Sequence, residues 1–365
     1  MKMTPSSTLD GRDAFIKSYR DYLFLKIAVV FALVIILFIL TGHAITIGSK
    51  DIGFFETYEY LWNHLMGVSY EFKTEDWYND YIIWELRSPR VIGAILVGFG
   101  LAVCGCVMQA VTRNPLADPY TTGMSSGSVF GVSIGMVFGF SLGTSYGDIA
   151  MMFNAFIFGL IPAIFIIAVS NGKARSPATI VLGGVAIMYF FNSMSTLTMM
   201  YAPDSTIMKS YLWQLGTLER IDITGLPILG AGVALGSIVV YLFSRQLNLL
   251  NLGNGSASTL GLDVGTFRTI MIIITAVMIA TIISFTGIIG FVGLVAPHIM
   301  RQVISSDNRF LIPCAGLLGA VFLLACDTLC RSPLLSVDLP VGVVMSFVGA
   351  PIFLYMIIRS RRSAI

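Results

Sequence analysis

The stretch Glu85-Leu-Arg-Ser-Pro-Arg90, the 22 uncharged residues Val91 to Thr112, the turn Arg113-Asn-Pro-Leu-Ala-Asp-Pro119 and the glycines at 123, 127, 131, 135, 139 and 143 decide the fold. Six glycines at a constant spacing of four leave a groove along one side of a helix, where another backbone can come close. In a soluble helix each would cost about 1 kcal/mol relative to alanine. In lipid the backbone hydrogen bonds stay within the helix and small residues favour helix contact. The stretch reads as a hairpin of two membrane helices, with arginines at one mouth and a proline-rich turn at the other.

The whole composition agrees. Hydrophobic residues make up 56% of the 365, charged residues only 12%, and the mean hydropathy is +0.84. Soluble domains carry about 25% charge. Net charge is +2 and the longest basic run is Arg359-Ser-Arg-Arg362, so nothing points to nucleic acid. The cysteines at 104, 106, 314, 326 and 330 lie in apolar runs at C-x-C and C-x3-C spacings, which suit small packing residues rather than a metal or redox framework. The first apolar run has no small-residue cleavage site after it and reads as a retained helix rather than a signal peptide.

A span needs about 20 mostly apolar residues. Such runs are Ile27–Ile47, Val91–Thr112, Tyr120–Tyr146, Ile149–Ser170, Ala178–Tyr201, Leu226–Ser244, Phe267–Ile304, Leu311–Leu329 and Pro340–Ile358. Basic residues before position 27 and in the tail 359–362 place both ends inside. That requires an even number of crossings, so Phe267–Ile304 is expected to be a hairpin broken at Gly287-Ile-Ile-Gly290-Phe-Val-Gly293. The expected fold is an all-α polytopic membrane protein with about ten transmembrane helices and both termini cytoplasmic. It leaves only Lys50, Lys73, Arg87, Arg90, Lys209, Arg220 and Arg331 of the 22 lysines and arginines outside. The outside loop 48–80 is aromatic and acidic, a second outside segment, 202–223, contains a short surface helix, and the largest inside loop is 245–266.

Few ionisable groups fall within the spans. Asp327 and Arg331 lie four apart near an outer helix end, where they can pair with each other. His298 reads as part of a cytoplasmic helix end, and His43 is close enough to the outer surface to be solvated. There is no G-x-x-x-x-G-K-[ST] phosphate loop, no H-E-x-x-H and no G-x-S-x-G, so neither a catalytic set nor a metal site is expected.

Five runs carry a resemblance: Leu86-Arg-Ser-Pro-Arg90, Gly105-x-x-Met-Gln109, Asn114-Pro-Leu-Ala-Asp-Pro119, Gly290-Phe-Val-Gly-Leu-Val-Ala-Pro-His-Ile-Met-Arg301, and Asp338-Leu-Pro-Val-Gly-Val-Val344 with Gly349-Ala-Pro-Ile-Phe353. The chain resembles the iron-siderophore, haem and vitamin B12 permease family, the membrane subunits of ten-helix (type II) ABC importers. The charge pattern makes 1–26 a cytoplasmic tail, and the resemblance, which covers roughly residues 80–358, goes with one transmembrane permease domain at 27–365. It implies a homodimer in a prokaryotic inner or plasma membrane, two ATP-binding cassette subunits inside, and an extracytoplasmic substrate-binding protein outside. The chain itself would bind no cofactor, with ATP and Mg on the partner ATPase, and its partners would include membrane lipid but no nucleic acid.

By the same resemblance, Arg87, Arg90 and Arg331 meet carboxylates of the binding protein. Guanidinium forks suit that task, although helix-end arginines also snorkel to lipid headgroups. The loop 245–266 would be the ATPase coupling loop, with Leu249, Leu252, Leu260 and Leu262 as apolar anchors and Gly253 and Gly261 at its turns; a solvated loop on the headgroups is the plainer reading. The cytoplasmic gate would fall on Asn114, Leu116, Ser176 and Pro177, where Asn114-Pro115 also suits an ordinary turn. Gly123, Gly127, Gly131, Gly135, Gly139 and Gly143 would be the packing seam. The alternative function is an ion-coupled secondary transporter, which would place acids or bases at mid-membrane.

Overall fold

A computed structural model of the chain describes residues 6–141, 147–170, 177–332 and 339–362. The elements in order are α1 (Ser6–Thr46), α2 (Phe54–Leu65), α3 (Glu75–Tyr81), a π-helical turn (Ile82–Arg87), α4 (Ser88–Thr112), a 3-10 turn (Pro119–Thr122), α5 (Met124–Phe138), α6 (Gly147–Ser170), α7 (Pro177–Met199) and α8 (Asp204–Gln214). There follow α9 (Leu226–Leu242), α10 (Ser244–Asn251), α11 (Asn254–Thr259), α12 (Val264–Thr286), α13 (Val292–Ile304), α14 (Asn308–Cys330) and α15 (Val341–Arg362). The fold is all-α and polytopic.

Among the described residues, six helices are long and apolar enough to cross a membrane, and α9 with α10 forms a further candidate bent by 59°. The shorter apolar helices α5, α13 and Val341–Met356 of α15 complete the set. These elements occupy the ten apolar segments expected, but α5 and α13, with 15 and 13 residues, are too short to span a hydrocarbon core of about 30 Å at 1.5 Å per residue.

The organising helix is α4. Every residue from Gly100 to Thr112 is buried, and α9, α12, α13 and α14 pack around it. Two glycines make that possible: a Cβ at Gly98 would strike the carbonyl of Gly319 on α14, and one at Gly105 the carbonyl of Gly293 on α13. Here the structure corrects the expected hairpin, because α5 does not pack along α4. It turns away after the 3-10 turn and lies against α6 and α7.

The glycine ladder divides accordingly. Gly127 and Gly131 meet the carbonyls of Phe158 and Asn154 on α6, and Gly135 faces the Asn154 amide. Gly123 and Gly139 are not rungs: with φ of 81° and 66° they begin and end α5, the left-handed stop that glycine favours. Gly143 lies outside the described residues.

The break expected in Phe267–Ile304 falls at Gly287–Phe291, between α12 and α13. Its backbone polar groups are met inside the protein. Thr217 N donates to Thr286 O (2.9 Å), Leu215 and Ile288 form a parallel β-bridge, and Gly342 N donates to Gly216 O (2.9 Å). Residues 215–218 were expected wholly outside, yet they tuck into the bundle, and Leu218 and Ile289 are fully buried. Irregular backbone survives at membrane depth only under such cover.

The two ends of the bundle are marked by contacts distant in sequence. At one end Lys26 of α1 sits 4.2 Å from the rings of both Tyr22 and Phe310, and Tyr22 donates to Ile304 O. At the other, the chain after α1 meets α4 and α14. Helices α1 and α14 therefore run parallel to each other and α4 runs opposite, as alternate crossing requires.

Replacing Gly105 with Leu should prevent recovery of monodisperse protein, since backbone stands where the side chain must go. Gly139→Ala meets open space and should cost about 1 kcal/mol, the price of a left-handed φ. Size-exclusion and thermal-shift measurements in detergent distinguish the two.

Candidate functional site

Asp327 is fully buried near the end of α14, and three arginines gather around it. Its Oδ1 accepts from Arg90 Nε at 2.9 Å and its Oδ2 from Arg331 Nε at 3.0 Å. Arg90 also bridges to Glu219 at 3.1 Å. The i,i+4 pair read from sequence is thus half of a larger cluster that joins α4, α14 and the segment after α8.

Arg87 behaves differently from the outward-facing fork expected. It is 4% exposed, and its guanidinium donates to the carbonyls of Ile45, Thr46 (2.8 Å) and Lys50 (2.5 Å). Gly48 lies against it, so that a Cβ there would fall 2.7 Å from Nη2. Arg87 therefore clasps the chain leaving α1. Arg331 Nη1 completes the clasp by donating to Ile47 O at 2.9 Å, while its buried Nη2 has no partner among the described residues. A cleft of about 270 Å³ opens over this group, lined by Lys50, Arg87, Arg90 and Arg331 together with Ser49 and Leu86.

At the opposite end the loop 245–266 folds as two short helices. Gly253 (φ 108°) turns α10 into α11 and Gly261 (φ 88°) leads towards α12. Leu247, Leu250 and Ala257 are buried inward and fasten the pair to the bundle. Sequence reading missed those anchors. Of the four leucines it named, Leu249 and Leu262 pack partly against the core, whereas Leu252 and Leu260 stand 62% and 60% exposed. Arg268 Nη2 donates to Asn254 Oδ1 (3.1 Å), holding α11 against α12. Asp307 accepts from Asn248 Nδ2 (2.8 Å) and from its neighbour Arg309 (2.7 Å), so it locks α10 to the start of α14.

The proposed gate residues are only partly placed. Asn114 Oδ1 accepts from Leu116 N at 3.0 Å, closing the turn after α4, and Leu116 is 44% exposed. Ser176 lies outside the described residues, and Pro177 is the first residue of α7. The 3-10 turn packs against α7, where Gly123 faces Gly184 and Met188. The five cysteines are buried free thiols.

The architecture is that of a polytopic helical membrane protein. The chain belongs to the FecCD transport family, whose profile matches residues 32–359. It is 34% identical over 280 residues to the hemin transport system permease protein HmuU of Yersinia pestis, covering 76% of this chain and 84% of that one. It is 32% identical over 290 residues to the vitamin B12 import system permease protein BtuC of Citrobacter koseri, covering 79% and 87%. A solved structure assigned to the metal-chelate type of ABC transporter, in an inward-facing conformation, superposes with a TM-score of 0.78 at 25% identity over 91% of this chain and 99% of that one.

Asp327→Ala should destabilise by about 3–5 kcal/mol, because it strands buried guanidinium groups. Asp327→Ala combined with Arg331→Met should recover part of that loss in a double-mutant cycle. A second expectation concerns acid. The Arg309 hydrogen bond holds Asp307 down to about 2 from an ordinary 3.8, so its contribution is present above about pH 4 and is lost as pH falls through 2. Thermal stability measured between pH 5 and pH 2 should fall less steeply in Asp307→Asn than in the parent.

Proposed function

We propose that this chain is the membrane-spanning permease of an ATP-driven importer that moves a metal chelate of the siderophore, haem or corrinoid class. A substrate-binding protein delivers the cargo, and separate cytoplasmic ATPases bind and hydrolyse ATP. The observation that carries this reading is the pair α10–α11, which is fastened inward by Leu247, Leu250 and Ala257 and presents Leu252 and Leu260 outward, at the end opposite the arginine cleft. Two exposed leucines on a rigidly anchored helical pair suit a groove on another protein.

At the mouth, the cleft offers a cationic lining of Lys50, Arg87, Arg90 and Arg331, which suits a carboxylate of the delivery protein. Arg87 and Arg90 serve that contact by holding the cleft in shape. Leu116 and the start of α7 stand near the cytoplasmic exit. A second copy of the chain completes the path along α7. The exposed face of α7 mixes Asn192, Ser193 and Thr196 with Tyr189 and Leu197, unlike the exposed face of α1, where Phe31, Ile35, Phe38 and Ile39 are wholly apolar.

An ion-coupled carrier is less well supported, because among the described residues the buried charges Lys26, Arg87, Arg268, Asp327 and Arg331 stand towards the ends of the apolar segments with partners of their own.

The test is co-expression with the cognate ATPase. Leu252→Asp with Leu260→Asp should abolish co-purification and ATP-dependent uptake of 55Fe-chelate into proteoliposomes while leaving the melting temperature unchanged. Lys50→Glu should weaken delivery-protein docking about tenfold and spare ATPase assembly. Retained assembly and uptake in the leucine pair would sink the proposal.

A further inference from the structure

The segment between α1 and α4 has a feature that the transport reading does not use. Helix α2 presents three separate faces at 100° per residue. Thr57, Tyr60 and His64 turn inward: Tyr60 donates to Asp76 at 2.7 Å, and His64 stacks on Trp84 at 4.1 Å and bonds to Asp80. Glu56 and Glu59 turn to solvent. Phe54, Phe55, Tyr58, Trp62 and Leu65 form the third face, an arc of about 100° in which every residue is exposed. Phe55 is 86% exposed, Trp62 62% and Leu65 64%, far more apolar surface than a short helix in water normally shows.

What lies beside that arc identifies its partner. Tyr58 donates to Gly42 O at 2.8 Å, pinning α2 to the end of α1. Between the two helices is an apolar cleft of about 540 Å³, lined by Phe38, Ile39 and Ile45 of α1 and by Phe54 and Tyr58 of α2. The same Phe38 and Ile39 belong to the lipid-facing surface of α1, a span with only 11% of its apolar window buried in the protein. The aromatic arc of α2 is therefore continuous with a surface already committed to lipid. The arginine cleft is lined instead by residues 48–50, 82, 86, 87, 90 and 331.

We infer that α2 is an interfacial helix: its Phe54, Phe55, Tyr58, Trp62 and Leu65 face lies in the headgroup region of the mouth-side leaflet, and a phospholipid acyl chain fills the cleft between α1 and α2. Aromatic side chains gather at that depth in membrane proteins, and an amphipathic helix buries its apolar face about 5–10 Å into the boundary. By anchoring to lipid, α2 steadies the clasp that Arg87 makes on residues 45–50. The inference depends on the membrane fold and not on the cargo or the ATPase.

Trp62 reports on it directly. The full-length chain is placed in nanodiscs of phosphatidylcholine brominated at shallow or deep acyl positions, and the difference between parent and Trp62→Phe isolates that residue among the four tryptophans. Trp62 should be quenched about twofold more by shallow than by deep bromines, with little quenching by aqueous iodide. In the Trp62→Phe background, Phe38→Trp should be quenched most by the deeper bromines. Iodide quenching of Trp62 without lipid quenching would overturn the interfacial helix, and protection from iodide only when a delivery protein is added would assign the arc to that protein instead. A tryptophan at position 38 untouched by any bromolipid would overturn the lipid-filled cleft.

Discussion

A bilayer core offers no water to a broken backbone, and the interior of this protein is arranged around that constraint. Most of the chain meets it by staying helical. The exception is the non-helical stretch between α12 and α13, where the main chain leaves the helix with α13 still too short to span. Its backbone is met by the chain after α8, through Thr217 and Leu215, and that chain is in turn held by the start of α15 through the Gly216–Gly342 bond. A Cβ on either glycine would lie within about 3 Å of facing backbone, so three irregular segments share one buried junction because two of them lack side chains there. Helix α4 obeys the same logic, bringing its own backbone against α14 at Gly98 and α13 at Gly105.

The charges follow a related rule. A buried carboxylate is tolerable when its lone pairs are filled by cations. Asp327 receives Arg90 and Arg331, and the surplus positive charge is spread over backbone carbonyls that Arg87 and Arg331 gather from the chain after α1. The cluster is at once a structural clamp between α1, α4 and α14 and the floor of a cationic cleft. Among the described residues one buried donor of the cluster, Arg331 Nη2, has no partner. At the other end of the bundle, positive groups are used locally: Arg268 holds Asn254, and Arg309 holds Asp307. There the outward surface is left to Leu252 and Leu260.

Much of this was legible along the chain, for reasons of simple periodicity and charge. The ten apolar segments, the break near Gly287 and the turn-forming glycines of the 245–266 loop follow from local composition. The motifs that mark the FecCD family likewise persist in linear order. The glycine ladder misled in part because spacing alone cannot distinguish a glycine that packs, such as Gly131, from one that ends a helix, such as Gly139. The inward anchors Leu247 and Leu250 were overlooked because an amphipathic helix of two turns does not announce which face the bundle will cover.

Sequence by itself determined that this is a helical membrane protein and where its apolar segments run, because hydrophobic length and charge asymmetry act on each segment independently of its neighbours; its short linear motifs carried the family resemblance. Only the tertiary structure decided which helices touch. It parted α5 from α4, and it brought Arg90 to Asp327 across 237 positions. It turned Arg87 from an expected outward fork into an inward clasp and laid the aromatic face of α2 beside the lipid surface of α1. Those outcomes depend on the close approach of backbones and on partners remote in sequence, and neither is written in any one stretch of residues.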